Sequence, residues 1–299
     1  MRLVIAGSSG FLGTQLRASL QSAGHFVVRL VRGTPTAADQ VRCSPYDEPL
    51  DPEVLDDVDV VVNLAGSPLL GNPHSSRWAN ELMRSRVETT RVLAEAIAKA
   101  PKQPVFLAGN ATGYYGDHGD ELLTETSKRR GDTLLSSVTA AWQDAAQPAV
   151  DAGGRVVIMR TASVLDRRSP PLSMLAPLFK LGLGGPLGSG DQYFPVTTTD
   201  DWVRAVIFCA ENDALSGPVN ITLPEPATND DFTKALGELV RRPTFFNVPG
   251  MLLRPAAGPM APELLGSVRL LPQVLLDAGF EFHHHDIRSA LASALRAGH

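Results

Sequence analysis

Gly7-Ser8-Ser9-Gly10-Phe11-Leu12-Gly13 stands between an apolar run at 3–6 and an amphipathic stretch that begins at Phe11. A strand, a glycine turn and a helix in that order aim the first backbone amides of the helix at a space without side chains, which suits a pyrophosphate. Gly7, Ser9, Gly10, Phe11, Leu12 and Gly13 are therefore the candidate phosphate-binding residues. The spacing is GxxGxxG rather than GxGxxG, so a turn that serves only strand–helix packing is the competing reading.

Nineteen residues beyond Gly13, at the end of the second apolar run, stands Arg32. Proteins that prefer NAD(H) place an acid there for the ribose hydroxyls, whereas a guanidinium can pair bidentately with a 2′-phosphate. NADP(H) is the expected cofactor and NAD(H) the weaker alternative. Arg29 is a second cation close by, and a solvated strand-end charge is the plainer reading of Arg32. Asn63-Leu64-Ala65-Gly66 closes the next run with small residues, so Leu64, Ala65 and Gly66 can lie against an adenine–ribose edge or merely form a tight turn. Glu81 and Arg86 are five apart on the following helix, too far for a simple ion pair one turn on, and by spacing alone are solvated charges.

His283-His284-His285-Asp286 invites a metal. Consecutive residues on an extended segment point to alternating faces, and no second ligand cluster accompanies them, so no metal is expected. No GxSxG occurs, which sets nucleophilic hydrolysis aside.

A scaffold must hold these positions. The near-continuous apolar runs at 3–6, 26–31, 58–64, 105–108 and 155–159 suit buried strands of a parallel sheet, and 11–23, 77–99 and 132–151 carry helical spacing between them. Strand–helix–strand repetition of this kind predicts a doubly wound α/β fold of Rossmann type. The passage 166–190, with Ser169-Pro170-Pro171 and a glycine-rich run, is expected to be loop. A helix at 202–211 and a strand at 219–222 resume the pattern, and helices at 230–240, 261–264, 272–278 and 286–295 follow. The expected division is a nucleotide-binding core of 1–165, completed by about 200–224, with 166–199 and 225–299 forming a smaller substrate-side cap.

Composition narrows the classes. With 299 residues, 43% of them hydrophobic and 20% charged, the chain has ample material for a core, and a disulfide-stapled miniature is excluded. The net charge is −5 and the longest basic run is Lys128-Arg129-Arg130, which argues against nucleic acid as a partner. Cys43 and Cys209 form no CxxC pattern, so neither a disulfide framework nor a zinc site is expected, in keeping with a reducing cytoplasm. Residues 1–6 are too brief a run for a secretion signal or a membrane span, and no later window approaches eighteen uncharged apolar residues. The expectation is a cytoplasmic protein, monomer or homodimer, that meets a small-molecule substrate and neither membrane nor nucleic acid.

Three further segments carry a resemblance: Gly109-Asn110-Ala111-Thr112-Gly113-Tyr114-Tyr115-Gly116, the run 160–165, and Leu181-Gly182-Leu183-Gly184-Gly185-Pro186-Leu187-Gly188-Ser189-Gly190. With the glycine turn they resemble the atypical short-chain dehydrogenase/reductases of the U type, the epimerase family proteins related to extended nucleotide-sugar epimerases. The similarity covers essentially the whole chain, and 227–232 and 276–282 resemble that family's C-terminal segment of undefined function. It implies an NADP(H)-binding Rossmann domain with Arg32 on the 2′-phosphate side and Leu64 and Ala65 beside the nucleotide. It also places Glu81, Arg86 and Val164 near the cofactor. Asn110, just after the run that ends at Gly109, is a further candidate cofactor-binding residue.

The same relatives need an acid/base near neutral pH, usually a Tyr with a Lys four residues on, and a Ser or Thr that holds the substrate oxygen. Here Tyr46, Tyr114, Tyr115 and Tyr193 are followed at plus four by Leu50, His118, Gly119 and Thr197, so the dyad is absent. The expected serine reads Asn110, and Thr112 is the nearest hydroxyl. Thr112, Tyr114 and Tyr115 remain as candidate catalytic groups, with Asp117 or water as alternatives. Gln192, Tyr193 and Phe194 follow the glycine-rich loop and are candidate substrate-pocket residues, or simply its anchors. Two functions follow: an NADP(H)-dependent oxidoreductase or epimerase-like enzyme acting on a small polar or carbonyl substrate, or an NADP(H)-binding sensor without catalysis.

Overall fold

The computed structural model describes residues 1–296; the last three residues of the expected cap, 297–299, lie outside the described residues. In chain order the strands are β1 (Arg2–Ala6), β2 (Phe26–Val31), β3 (Gln40–Arg42), β4 (Val60–Asn63), β5 (Val105–Ala111), β6 (Leu122–Leu123), β7 (Val156–Thr161), β8 (Ser163–Leu165), β9 (Val196–Thr198), β10 (Gly217–Ile221) and β11 (Arg269–Leu270). The helices are α1 (Phe11–Ser22), α2 (Ser76–Lys99), α3 (Leu134–Asp144), α4 (Gln147–Asp151), α5 (Leu172–Lys180), α6 (Thr199–Glu211), α7 (Asn229–Val240), α8 (Gly250–Ala257), α9 (Ala261–Leu265), α10 (Gln273–Asp277) and α11 (Ile287–Arg296).

Seven strands form one parallel sheet in the order β10-β7-β5-β4-β1-β2-β3, flanked by helices. The expected doubly wound α/β architecture is present. The strand order reverses between β1 and β4, which pair in register from Leu3 with Val60 to Ala6 with Asn63. In open α/β sheets, ligands bind beyond the strand ends at such a reversal, and here both chains leave the sheet together, Gly7 after Ala6 and Leu64 after Asn63.

The chain divides into two compact units: 1–110, 138–159 and 206–218 in the first, and 111–137, 160–205 and 219–296 in the second. The first is built on the apolar runs read from the sequence. Val4, Val28, Val61, Leu93, Ile97, Phe106 and Ile158 share one buried cluster, in which strand residues meet the apolar stripe of α2. The second has its own core, where Leu172, Ala176 and Phe179 of α5 meet Phe232 and Leu236 of α7 and Leu291 of α11.

Several elements depart from the sequence reading. The passage expected to be loop contains α5, because Leu172, Ala176 and Phe179 recur at helical spacing and are buried despite Pro177 inside the helix. The stretch expected as a single helix over 132–151 is two, with Pro148 at the start of the second, where its missing N–H leaves no bond unmade. β3 and α8 were not anticipated at all. Among the described residues no helix is long and apolar enough to cross a membrane.

Candidate functional site

The glycine turn is packed too closely for a side chain at Gly7 or Gly13. Gly7 takes φ +80°, and a Cβ on it would sit 2.6 Å from the Leu64 carbonyl carbon and 2.7 Å from the Ala65 nitrogen. A Cβ on Gly13 would run into the Gly7 carbonyl oxygen, so α1 lies directly on the turn. Gly10 is the N-cap of α1 and, having no side chain, supplies no cap, and no acidic residue lies in the first turn. The positive end of a twelve-residue helix therefore opens beside Ser9, Gly10, Phe11 and Leu12, where an anion is stabilised.

The second wall is equally built. Asn63 is fully buried; its amide donates to Thr90 Oγ1 at 2.8 Å and its Oδ1 accepts from Ala65 N at 3.0 Å, which folds Leu64-Ala65-Gly66 back over the strand end. A Cβ on Gly66 would lie 3.0 Å from Arg86 Cζ, so the glycine leaves room for that guanidinium. Arg86 donates to the Leu82 carbonyl at 3.1 Å and stacks on Trp142 at 5.2 Å, and burial pushes its pKa down to about 10. No carboxylate pairs with it among the described residues, and a desolvated cation of this kind is suited to an anion.

At the end of β2 the two arginines separate in role. Arg29 makes a bidentate pair with Asp39, both bonds 2.7 Å. Arg32 is exposed and has no ion-pair partner among the described residues. Around it lie groups that the sequence reading missed. Tyr46 donates to Glu81 Oε1 at 2.9 Å and its ring lies 4.2 Å under Arg84; burial, then the Glu81 contact, pushes the phenol up to about 12. Arg84 and Tyr46 are 38 positions apart with no local pattern between them, so only the fold brings them together.

In the second unit, β5 ends at Ala111 and the chain turns through Thr112-Gly113-Tyr114. Thr112 is buried, and neither its hydroxyl nor the Tyr114 phenol makes a hydrogen bond among the described residues. Arg160 lies 3.6 Å over the Tyr114 ring. Tyr115 is wholly buried: its hydroxyl donates to Asn220 Oδ1 at 2.6 Å and accepts from Arg160 Nη1 at 2.9 Å, and burial pushes its pKa up. Within the first unit, the Asn110 amide donates to the Thr139 carbonyl at 3.0 Å. Val164 sits in β8, in register with Thr197 of β9.

The three residues after the glycine-rich loop have distinct surroundings. Gln192 Nε2 donates to the Leu187 carbonyl at 2.9 Å and so holds the loop, and Tyr193 lies 5.1 Å from the Arg269 guanidinium. Phe194 packs edge-on against Phe232 at 5.6 Å and lines a small recess with Val196, Leu223 and Leu270.

Asp200, Asp201 and His283 offer ligand atoms within 4.8 Å of one another. Asp201, fully buried, already accepts from the backbone amides of His283 and His284, from His284 Nδ1 at 2.8 Å and from Thr198 Oγ1 at 3.1 Å. Thr198 in turn accepts from Asp201 N at 3.0 Å, the reciprocal arrangement that caps α6. The cluster is a fastening of the His283–His284 segment to α6.

A reversal of strand order, a glycine-rich turn at its crevice and an uncapped helix beside it define an NAD(P)-binding protein of the epimerase and short-chain reductase type. The chain belongs to the NAD dependent epimerase/dehydratase family, whose model matches residues 3–222; a domain of unknown function, DUF1731, matches 248–294. It is 40% identical over 293 residues to epimerase family protein ML0860 of Mycobacterium leprae, covering 98% of this chain and 95% of that one. The crystal structure of human epimerase family protein SDR39U1 (isoform 2) with NADPH superposes with a TM-score of 0.87 at 28% identity, over 99% of this chain and 100% of that one. A nucleoside-diphosphate sugar epimerase from Corynebacterium glutamicum does so with a TM-score of 0.80 at 34% identity, over 99% of this chain and 58% of that longer one.

Proposed function

We propose that this protein binds NADP(H) in preference to NAD(H) and uses it, as an oxidoreductase or epimerase-like enzyme, to interconvert a carbonyl and an alcohol on a small polar substrate. The observation that carries the cofactor choice is the separation of Arg29, closed on Asp39, from Arg32, exposed and without an ion-pair partner among the described residues at the end of β2. Gly7, Ser9, Gly10, Phe11, Leu12 and Gly13 hold the pyrophosphate through backbone amides, with Arg86 as a second cation. Leu64, Ala65 and Gly66 lie along the adenosine, Glu81 acts through Tyr46, and Asn110 and Val164 complete the cofactor's surroundings. When bound, the nicotinamide supplies or accepts a hydride.

Thr112 and Tyr114 offer unengaged hydroxyls to the substrate oxygen. Tyr115, with its phenol committed on both sides, positions Arg160 under Tyr114. In this reading residues 1–165 with about 200–224 form the cofactor half, while 166–199 and 225–299, including Gln192, Tyr193 and Phe194, form the substrate side. Both thiols are buried and pushed up, Cys43 to about 11 and Cys209 to about 12, so neither is a reactive thiol. In this reading the protein works in a reducing cytoplasm, as a monomer or homodimer.

A second reading, an NADP(H) sensor without turnover, is favoured by one observation: no Tyr-x-x-x-Lys pair exists in the chain. Calorimetric titration of cofactor-free protein with NADPH, NADP⁺ and NADH, followed by a screen of NADPH oxidation with carbonyl compounds, separates the two. Tight NADPH binding with turnover supports the enzyme, tight binding without turnover supports the sensor, and no binding removes both.

A further inference from the structure

The missing dyad leaves a proton without a carrier. A carbonyl that becomes an alcohol needs a proton on oxygen, and the threonine hydroxyl of Thr112 does not exchange one readily near neutral pH. We propose that Glu263, delivered to the Thr112–Tyr114 turn by α9, is the acid/base of the second unit and exchanges a proton with the oxygen of a ketone or aldehyde substrate. This rests on the oxidoreductase reading and assigns it a residue that the sequence pattern does not mark.

The geometry is specific. Glu263 Oε1 accepts from Thr133 Oγ1 at 2.6 Å and from the Leu135 amide at 3.2 Å, which fixes the carboxyl at the first turn of α3. Oε2 points the other way. It accepts no hydrogen bond among the described residues, and a Cβ on residue 113 would lie 3.8 Å from it and 3.1 Å from Leu135 Cβ. That oxygen therefore stands beside the turn that carries Thr112 and Tyr114, whose hydroxyls are unengaged.

Burial holds the Glu263 proton above the ordinary carboxylate range, against the opposing pull of Thr133 and Leu135, and no charged side chain contributes to the shift. The Asp117 carboxylate accepts through Oδ1 from the amides of Gly119 at 3.0 Å and Ser267 at 3.1 Å. A carboxylic acid that keeps its proton closer to neutrality is the kind of group that serves as general acid.

The carbonyl carbon takes the hydride while the carbonyl oxygen takes the proton from Glu263 Oε2; the carbonyl is reduced to an alcohol and NADPH is oxidised to NADP⁺. The Glu263 carboxylate regains its proton from solvent. In the reverse direction the carboxylate accepts the alcohol proton as the carbon is oxidised.

The test uses the full chain and Glu263→Gln, whose amide oxygen can still accept from Thr133 and Leu135. In protein carrying ¹³C-labelled glutamate, one carboxyl resonance lost in the variant should titrate above the ordinary glutamate range. With a ketone that the wild type reduces, the variant should bind NADPH unchanged, lose about 100-fold or more in kcat, and lose one limb of the pH profile. An ordinary titration for Glu263, or a variant that retains kcat and both limbs, overturns the assignment. Wild-type protein that binds NADPH and reduces nothing in a broad panel overturns the oxidoreductase reading itself, and this assignment with it.

Discussion

Tyr115 donates its phenolic proton to Asn220 Oδ1 at 2.6 Å, deep in the second unit, where the ring has no exposure at all. Arg160 closes the arrangement from the other side at 2.9 Å, and Glu125 Oε1, on a carboxyl itself pushed up by burial, accepts from the Asn220 backbone N–H at 3.0 Å. A phenol held in this way braces the turn that carries Thr112 and Tyr114. Tyr115→Phe leaves a buried acceptor and a buried cation each short of a partner, which costs about 1–3 kcal/mol. Denaturant unfolding should show that loss with NADPH affinity intact. Full stability combined with abolished turnover would return Tyr115 to a chemical role.

Arg32 and Arg29 are three residues apart on one strand end and should behave differently. If the protein takes NADP(H) as proposed, Arg32→Ala removes a charge-assisted partner of the 2′-phosphate and should weaken NADPH by about 10- to 100-fold, the equivalent of roughly 1.4 to 2.7 kcal/mol, while leaving NADH nearly unaffected. Arg29→Ala opens the Asp39 pair and should shift both cofactors alike. Equal losses for the two cofactors in Arg32→Ala, measured by calorimetry, would make Arg32 a plain surface charge.

The nucleotide-binding half was legible because local rules and tertiary structure agree there. The apolar runs at 3–6 and 26–31 and the glycine turn between them each permit little else, and β1, β2 and α1 appear where they are expected. The passage after Asp166 misled because Pro170, Pro171 and the later glycines are strong local breakers, yet Leu172, Ala176 and Phe179 find a core that outweighs them. Glu263 was invisible for a different reason. Its partners Thr133 and Leu135 lie about 130 positions away, and a lone glutamate among prolines looks like surface. The same distance in sequence hid Tyr46 from Arg84.

Gly13 offers a direct test of the phosphate cradle. Its Cβ would overlap the Gly7 carbonyl and lie 2.8 Å from Ser8 Cα, both backbone atoms that cannot swing aside. Gly13→Ala must push α1 off the turn, so it should cost about 1–3 kcal/mol in stability, as overpacking does, and reduce NADPH and NADH binding together. Gly24→Ala, a change in open space after α1 at φ +81°, is the control: it strains only its own backbone and should leave cofactor affinity unchanged. If Gly13→Ala bound both cofactors normally, the turn would be a packing device alone.

The raised Glu263 pKa also has a consequence for stability that does not depend on catalysis. Below the ordinary carboxylate range the group is protonated in both folded and unfolded chains and contributes nothing to pH dependence. As pH rises through that range the unfolded chain releases the proton first, while the folded one keeps it until its own higher pKa is passed. Over that window the unfolded state binds fewer protons, so folding stability falls as pH rises. Glu263→Gln cannot titrate. The stability of wild type relative to the variant should therefore decline across the window and level off above it, with Glu125 cancelling because both proteins carry it. Denaturant midpoints measured on the two proteins across a pH series give the comparison directly. A difference that stays flat with pH would mean that Glu263 ionises as freely in the fold as out of it.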